Sequence, residues 1–268
     1  MIVGDALDAA VTALTAAGCE TPRLDAELLI ADALGADRSL LHASPDGAIT
    51  GAQARVIGER VRRRVQREPV AYILGRRGFR HIELEVDSRV LIPRPETELL
   101  VEVGLELPPG SRVHDVGTGS GAVALALLDE RPDLVVTASD VSRAAVSVAR
   151  ANAARLGLPL DVSEQRGRPP GNQGKALDLA VANLPYVRED EWEGLAPEIR
   201  KWEPREALVS GPDGLDAIRS LVADAPGGTR LALEHAPGQA AAVRALLADA
   251  ETLRDLAGRE RVTTGRAP

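Results

Sequence analysis

Residues 112–130 read RVHDVGTGSGAVALALLDE. Five residues of strand character, Arg112 to Val116, run into Gly117-Thr118-Gly119-Ser120-Gly121, and an alanine- and leucine-rich stretch of helical character follows. Glycines at that junction let the chain turn tightly and let a ligand approach the backbone. The amides at the start of the helix can then receive polar groups. The next apolar run, LVVTASD, ends in Asp140, 19 residues after Gly121. An acid at that place can accept hydrogen bonds from both hydroxyls of a ribose. The stretch therefore predicts the first half of a doubly wound domain that binds an adenosine-containing cofactor.

The loop leaves the choice of cofactor open. GTGSGA also fits the dinucleotide pattern G-x-G-x-x-[G/A], and a tight turn with no ligand uses the same residues. Asp115, just before the loop, repels a pyrophosphate and suits the cationic amino-acid end of S-adenosylmethionine. Alternatively, it caps backbone amides of the loop.

Outward from this stretch the pattern repeats. A helix over Glu96–Leu107 precedes RVHDV, a helix follows Ser142, and LDLAVAN and TRLALEH read as further strands. Helices alternating with apolar strands predict a parallel sheet. ETLRDL and RERVTT flank Ala257-Gly258 and predict an antiparallel hairpin at its edge. Upstream, GFRHIELEVDSRVLIP alternates, with Asp87-Ser88 as its expected turn. The first ~75 residues read as helices: Leu7, Ala10, Val11 and Leu14 share a face, Thr21-Pro22 opens a second helix, and Thr50 caps a third through Arg67. The expected domains are a helical docking domain over 1–75, a β-hairpin linker over 76–92 and a cofactor-binding domain over 93–268.

LDLAVAN ends in Asn183-Leu184-Pro185-Tyr186. Ligands of a doubly wound sheet sit beyond the carboxyl ends of its strands. Asn and Pro also favour plain turns, so the chemistry decides. A planar amide NH2 is a poor nucleophile, because its lone pair is delocalised into the carbonyl. Two acceptors that hold both N–H groups aim the nitrogen. Asn183 offers a side-chain carbonyl and Leu184 a backbone one, and Pro185 biases Leu184 towards extended backbone. Tyr186 offers a flat face for stacking. No metal and no strong base is required.

Composition bounds the alternatives. A chain of 268 residues, 44% apolar and 27% charged, has the balance of a soluble globular protein. Aromatics are only 2%, so the core must come from Ala, Leu and Val. The net charge of −8 disfavours a nucleic-acid partner. One basic cluster, Arg60, Arg62, Arg63, Arg64 and Arg67, reads as a solvated helix face or a contact for an acidic partner. Cys19 is alone and His42, His81, His114 and His235 lack ligand spacing, so no metal site is expected. Asp5 and Asp8 speak against a signal peptide, and no apolar run reaches ~18 residues. A cytoplasmic, monomeric protein that partners proteins rather than membranes is the expectation.

On these residues the chain resembles the peptide chain release factor N5-glutamine methyltransferases, the PrmC (HemK) family. The resemblance rests on EPVAYILGRRGF, VDSRVLIPRPETELLVE, DVGTGSGAVALAL, DVSRAAVSVARANAARLGL, NLPY, EPREALVSGPDGLD and RDLAGRERV, and so covers nearly the whole chain. It implies an N-terminal helical domain, a hairpin linker and a class I methyltransferase domain with a seven-stranded sheet. It implies S-adenosylmethionine as donor and the glutamine of the release-factor GGQ motif as acceptor. Carried over by position, Gly117, Thr118, Gly119, Ser120, Gly121 and Asp140 bind the donor, Asn183 lies between donor and acceptor, and Asn183 to Tyr186 hold the glutamine. The chain departs from the family at three places. Leu184 replaces the first proline of Asn-Pro-Pro-Tyr. Arg168 stands where an acid near the adenine is expected, with Glu164 as a substitute. Glu234-His235-Ala236 replaces Glu-apolar-Gly. The rivals are a ribosomal-protein glutamine methyltransferase, an adenine-N6 methyltransferase, an inactive donor-binding protein and a nicotinamide dehydrogenase.

Overall fold

The computed structural model describes residues 1–165 and 177–268, so Arg168 lies outside the described residues. The chain divides into two compact units, one of Met1–Gly75 with Ala196–Trp202 and one of Arg76–Leu195 with Glu203–Pro268.

The first unit carries helices α1 (Val3–Ala16), α2 (Pro22–Leu34), α3 (Arg38–Ala43), α4 (Gly51–Val65) and α5 (Val70–Leu74). Leu7, Ala10 and Leu14 of α1 meet Ala26 and Ile30 of α2 and Ile57 of α4 in one apolar core. Each fully buried leucine there contributes ~1.5–3 kcal/mol. Thr50 and Gln53 form a capping box that starts α4. Thr21 does not cap α2 with its side chain; its hydroxyl donates to Asp25 at 2.8 Å instead.

Within the basic cluster of α4 and the turn after it, Arg62 is exposed as a solvated face requires, but the other four arginines are paired. Arg60 pairs with Asp32, Arg63 with Glu68, and Arg64 with Asp25. Arg64 and Arg67 share Glu198, at 2.8 and 2.6 Å. Arg64 is buried, and a buried guanidinium is tolerated only when its donors are paired. This sharing explains why Ala196–Trp202, distant in sequence, belongs to the first unit.

The second unit begins with the hairpin β1 (Arg76–Phe79) and β2 (Ile82–Glu85). Its turn falls at Arg80-His81, not at Asp87-Ser88. Arg80 takes a left-handed φ of +48°. Its guanidinium is held by Glu130 and Glu102, which offsets the strain. Asp87 makes a separate turn after the hairpin, accepting the Arg89 amide at 3.0 Å.

There follow α6 (Glu98–Leu105), β3 (Arg112–Val116), α7 (Ala122–Glu130), β4 (Val135–Asp140), α8 (Arg143–Leu156), β5 (Asp161–Glu164) and β6 (Leu179–Ala182). Next come α9 (Pro197–Trp202, part of the first unit), α10 (Asp216–Asp224), β7 (Arg230–Glu234), α11 (Ala240–Arg244), β8 (Ala248–Arg254) and β9 (Glu260–Arg266). The seven-stranded sheet has the order β5-β4-β3-β6-β7-β9-β8. Its first five strands are parallel, and β9 runs antiparallel to both β7 and β8. This is the expected doubly wound α/β fold with an edge hairpin.

Two histidines lie inside the sheet. His114 is fully buried between the hydroxyls of Thr137 and Ser139, at 2.8 and 2.9 Å, and burial lowers its pKa to about 4. His235 takes the apolar position of the family's Glu-apolar-Gly. Its Nδ1 lies 2.9 Å from the Ala236 carbonyl, which can only accept, so Nδ1 carries the proton. Its Nε2 then accepts from Thr263 at 2.8 Å. Both ring nitrogens are satisfied, and burial keeps the ring neutral.

Candidate active site

The strand order reverses at β3, between β4 and β6, and ligand crevices form at such a point. The register there is specific. Val116 is level with Ser139 on one side and Ala182 on the other. Gly117 and Asn183, which follow β3 and β6, and Asp140, the last residue of β4, therefore meet at one end of the sheet.

A cavity of about 440 Å3 opens at this point. Gly117, Thr118, Gly119, Ser120, Asp140, Asn183, Leu184 and Pro185 all line it. Gly121 and Tyr186 do not. Gly117, Gly119 and Gly121 have φ of +72°, +57° and +87°, which only glycine adopts cheaply. At Gly117 a Cβ would also stand 2.9 Å from Leu184 Cδ2, so the loop and the NLPY segment are in direct contact. Leu184 joins an apolar cluster with Val116, Leu215 and Leu221.

Asp140 is buried and fixed by two backbone amides: Gly119 donates to Oδ2 and Ser142 to Oδ1, each at 2.9 Å. Each carboxylate oxygen retains acceptor capacity towards the cavity. Asp115 is the loop's internal cap: its Oδ2 accepts the Thr118 hydroxyl at 2.6 Å and the Ala124 amide at 3.3 Å. It also lines the cavity, and burial raises its carboxyl to about 6. Beside β5, Gln165 lines the cavity and Glu164 is exposed. An open glycine backbone, an anchored carboxylate and a cavity within the ~300–1,000 Å3 range of cofactor sites fit a nucleoside-bearing donor.

Asn183 shows the clearest chemistry. Its Nδ2 donates to Thr97 Oγ1 at 2.9 Å. Thr97 belongs to the PRPETE segment, where Pro95 opens a single 3-10 turn, Pro95–Thr97, ahead of α6. With the amide NH2 engaged, Oδ1 is the end left for a ligand. Among the described residues no donor is paired with Oδ1 or with the Leu184 carbonyl. Tyr186 is turned away from the cavity, its hydroxyl donating to Glu234 Oε1 at 3.2 Å.

Residues far off in sequence hold this segment. Gln239 Nε2 donates to the Tyr186 and Asp213 carbonyls at 2.9 and 3.0 Å. Gly214, at φ +77°, passes so close that a Cβ would stand 2.1 Å from the Tyr186 carbonyl oxygen. Val187 pairs with the strand-like Leu208–Ser210 through bonds of 2.8 and 3.0 Å. Sequence reasoning missed Thr97, Glu234 and Gln239. PRPETE was visible as a motif, but no local spacing tied its threonine to Asn183.

Residues 5–75 match the family model of the PrmC N-terminal domain, and residues 94–199 that of the methyltransferase small domain. The chain is 43% identical over 270 residues to the release factor glutamine methyltransferase of Xylella fastidiosa strain Temecula1, covering 96% of this chain and 98% of that one. It is 42% identical over 283 residues to the same-named protein of Cereibacter sphaeroides, covering 100% and 99%. A solved release factor-specific protein-(glutamine-N5) methyltransferase from Alicyclobacillus acidocaldarius is 29% identical, with 67% of this chain and 96% of that one covered and a TM-score of 0.39. By full-length identity above 40%, this chain belongs to the release factor glutamine methyltransferase family.

Proposed function

We propose that the chain transfers a methyl group from S-adenosylmethionine to the side-chain amide nitrogen, N5, of the glutamine in the GGQ motif of class I release factors. The observation that carries this reading is the Asn183–Thr97 bond at 2.9 Å, which turns one end of an amide away and leaves its acceptor for the substrate.

S-adenosylmethionine supplies a methyl carbon activated by a positively charged sulfur. Gly117 and Gly119 let the donor approach the backbone, and Asp140 accepts from its ribose hydroxyls. Asn183 Oδ1 takes one N–H of the glutamine amide and the Leu184 carbonyl takes the other. Holding both hydrogens fixes the planar amide as a whole and aims the nitrogen, and such positioning lowers a barrier by several kcal/mol. Pro185 keeps the Leu184 carbonyl on its side of the loop. Tyr186 braces the loop through its hydroxyl on Glu234 and its carbonyl under Gln239. After transfer the nitrogen is acidic, and water removes the proton.

The first unit docks the release factor in this reading; its own core and its match to the PrmC N-terminal domain support a separate role. The chain acts as a cytoplasmic monomer without direct nucleic-acid contact, which the net charge of −8 favours. Mass spectrometry of a release factor incubated with this protein and S-adenosylmethionine tests the proposal. One added methyl on the GGQ peptide is expected. An unmodified peptide, with the donor shown to be bound, overturns it.

A further inference from the structure

Glu234 ends β7 and is 1% exposed. Its Oε1 accepts the Tyr186 hydroxyl, while Oε2 is buried without a hydrogen-bond partner. Such an atom is costly to keep, and methyl transfer as derived above makes no use of it. The Thr97 hydroxyl makes no hydrogen bond to Glu234 among the described residues but favours its ionised form, and the same hydroxyl oxygen accepts from Asn183 at 2.9 Å. One hydroxyl therefore stands between a buried acid and the amide that faces the cavity.

A hydroxyl has one proton to give. Directed at an ionised Glu234, it leaves the Thr97 oxygen to accept from the Asn183 NH2, and Oδ1 faces the substrate. With Glu234 protonated, the acid can donate to Thr97, whose proton then turns towards Asn183. The amide is best satisfied there by presenting Oδ1 to Thr97, which turns its NH2 to the cavity, where it opposes a substrate N–H. We propose that Glu234 is a positioning residue for methyl transfer, setting through Thr97 which end of the Asn183 amide meets the substrate nitrogen. The inference rests on the reading of Asn183 as an acceptor for the glutamine amide.

The surrounding charges come from several elements. Arg261 on β9 favours the carboxylate, and Glu96, in the turn before α6, opposes it. Tyr186 faces it from the loop after β6, with Arg94 acting on the phenol, and His235 beside it is neutral. Burial outweighs the favourable contacts and raises the Glu234 carboxyl to about 7. The relay thus changes direction near neutral pH.

Two readouts test this. In the first, the side-chain amide signals of Asn183, assigned by their loss in Asn183→Ala, are followed by NMR without substrate from about pH 5.5 to about pH 8.5. They are expected to shift with a midpoint near neutrality and to stay flat in Glu234→Gln and Thr97→Val. In the second, kcat on a release factor is expected to rise with pH through the same midpoint. Both variants should lose that limb and about tenfold in kcat at the upper end, with the donor KM within about twofold, and Glu234→Asp should restore part of the limb. Asn183 signals that do not move with pH in the wild type, or that move alike in Thr97→Val, overturn the inference even if release factors are methylated. A wild type whose signals titrate as described but which methylates no release factor supports the relay and overturns the proposed substrate. Should Glu234→Gln fail to fold, the shape-matched Thr97→Val carries the test.

Discussion

The glycine loop at 117–121 and the NLPY segment at 183–186 line the same cavity but are held by different means. The loop is shaped by its own backbone. Three glycines adopt left-handed φ, Asp140 accepts the Gly119 amide, and Asp115 accepts the Thr118 hydroxyl and the Ala124 amide of α7. NLPY is shaped by others: Thr97 holds its amide, Glu234 its phenol, and Gln239 and Gly214 its last carbonyl. Donor binding should therefore tolerate changes around NLPY, while the chemical step should register changes scattered over four segments.

The hardest test of that division is Asn183→Ala. Removing the acceptor leaves the glutamine amide unoriented, so kcat should fall on the order of 10²-fold or more. Donor affinity, read by calorimetry, should fall far less. Turnover at the wild-type rate would remove Asn183 from the reaction. Next is Gly214→Ala. Its Cβ cannot stand 2.1 Å from the Tyr186 carbonyl oxygen, so the NLPY exit must shift. Strain of about 1–3 kcal/mol should appear as a lower Tm, with kcat reduced by tens of fold and the donor Kd little changed. If donor binding and kcat fell together, the two regions would be one mechanical unit.

The loop side is broken by Asp140→Ala. A hydrogen bond to a charged group contributes roughly 1.5–3 kcal/mol, so the donor Kd should rise about tenfold or more. Part of that rise comes from the loop, because Gly119 and Ser142 lose the acceptor of their amides. Calorimetry showing an unchanged Kd would exclude Asp140 from the ribose.

The same division decides what could be read from the sequence. The parallel strands, the glycine loop and the edge hairpin are local patterns of hydrophobicity and turn residues, and the sheet forms as they require. Asp140 and Asn183 were legible because one ends and the other directly follows a strand whose end the fold fixes. The hairpin turn was misplaced because Asp87-Ser88 has better turn chemistry than Arg80-His81; three carboxylates from elsewhere, Glu98, Glu102 and Glu130, hold Arg80 in its strained conformation. The α4 arginines looked solvated because their partners, Asp25, Asp32 and Glu198, come from other elements. Thr97 and Glu234 were hidden for the same reason. Contacts that join residues 97, 183–186 and 234 have no spacing along the chain.

Leu184→Pro has the smallest expected effect and bears on a contact that joins the two regions. The substitution restores the family's Asn-Pro-Pro-Tyr. Replacing a flexible residue by proline where the backbone is compatible stabilises by about 0.4–1 kcal/mol, and Pro185 already biases this position towards extended backbone. Against that, the leucine methyl beside Gly117 is lost, together with part of its packing on Val116, Leu215 and Leu221. One buried methylene is worth ≈0.8 kcal/mol, so the two effects nearly cancel in stability. They do not act on the same step. Stiffening affects the Leu184 carbonyl and therefore kcat, which should stay level or rise up to about threefold. Lost packing affects Gly117 and therefore the donor, whose Kd should rise by a similar factor. A fall in kcat with an unchanged Kd would reverse this assignment, and would mean that Leu184 has become the better residue for holding its own carbonyl in this chain.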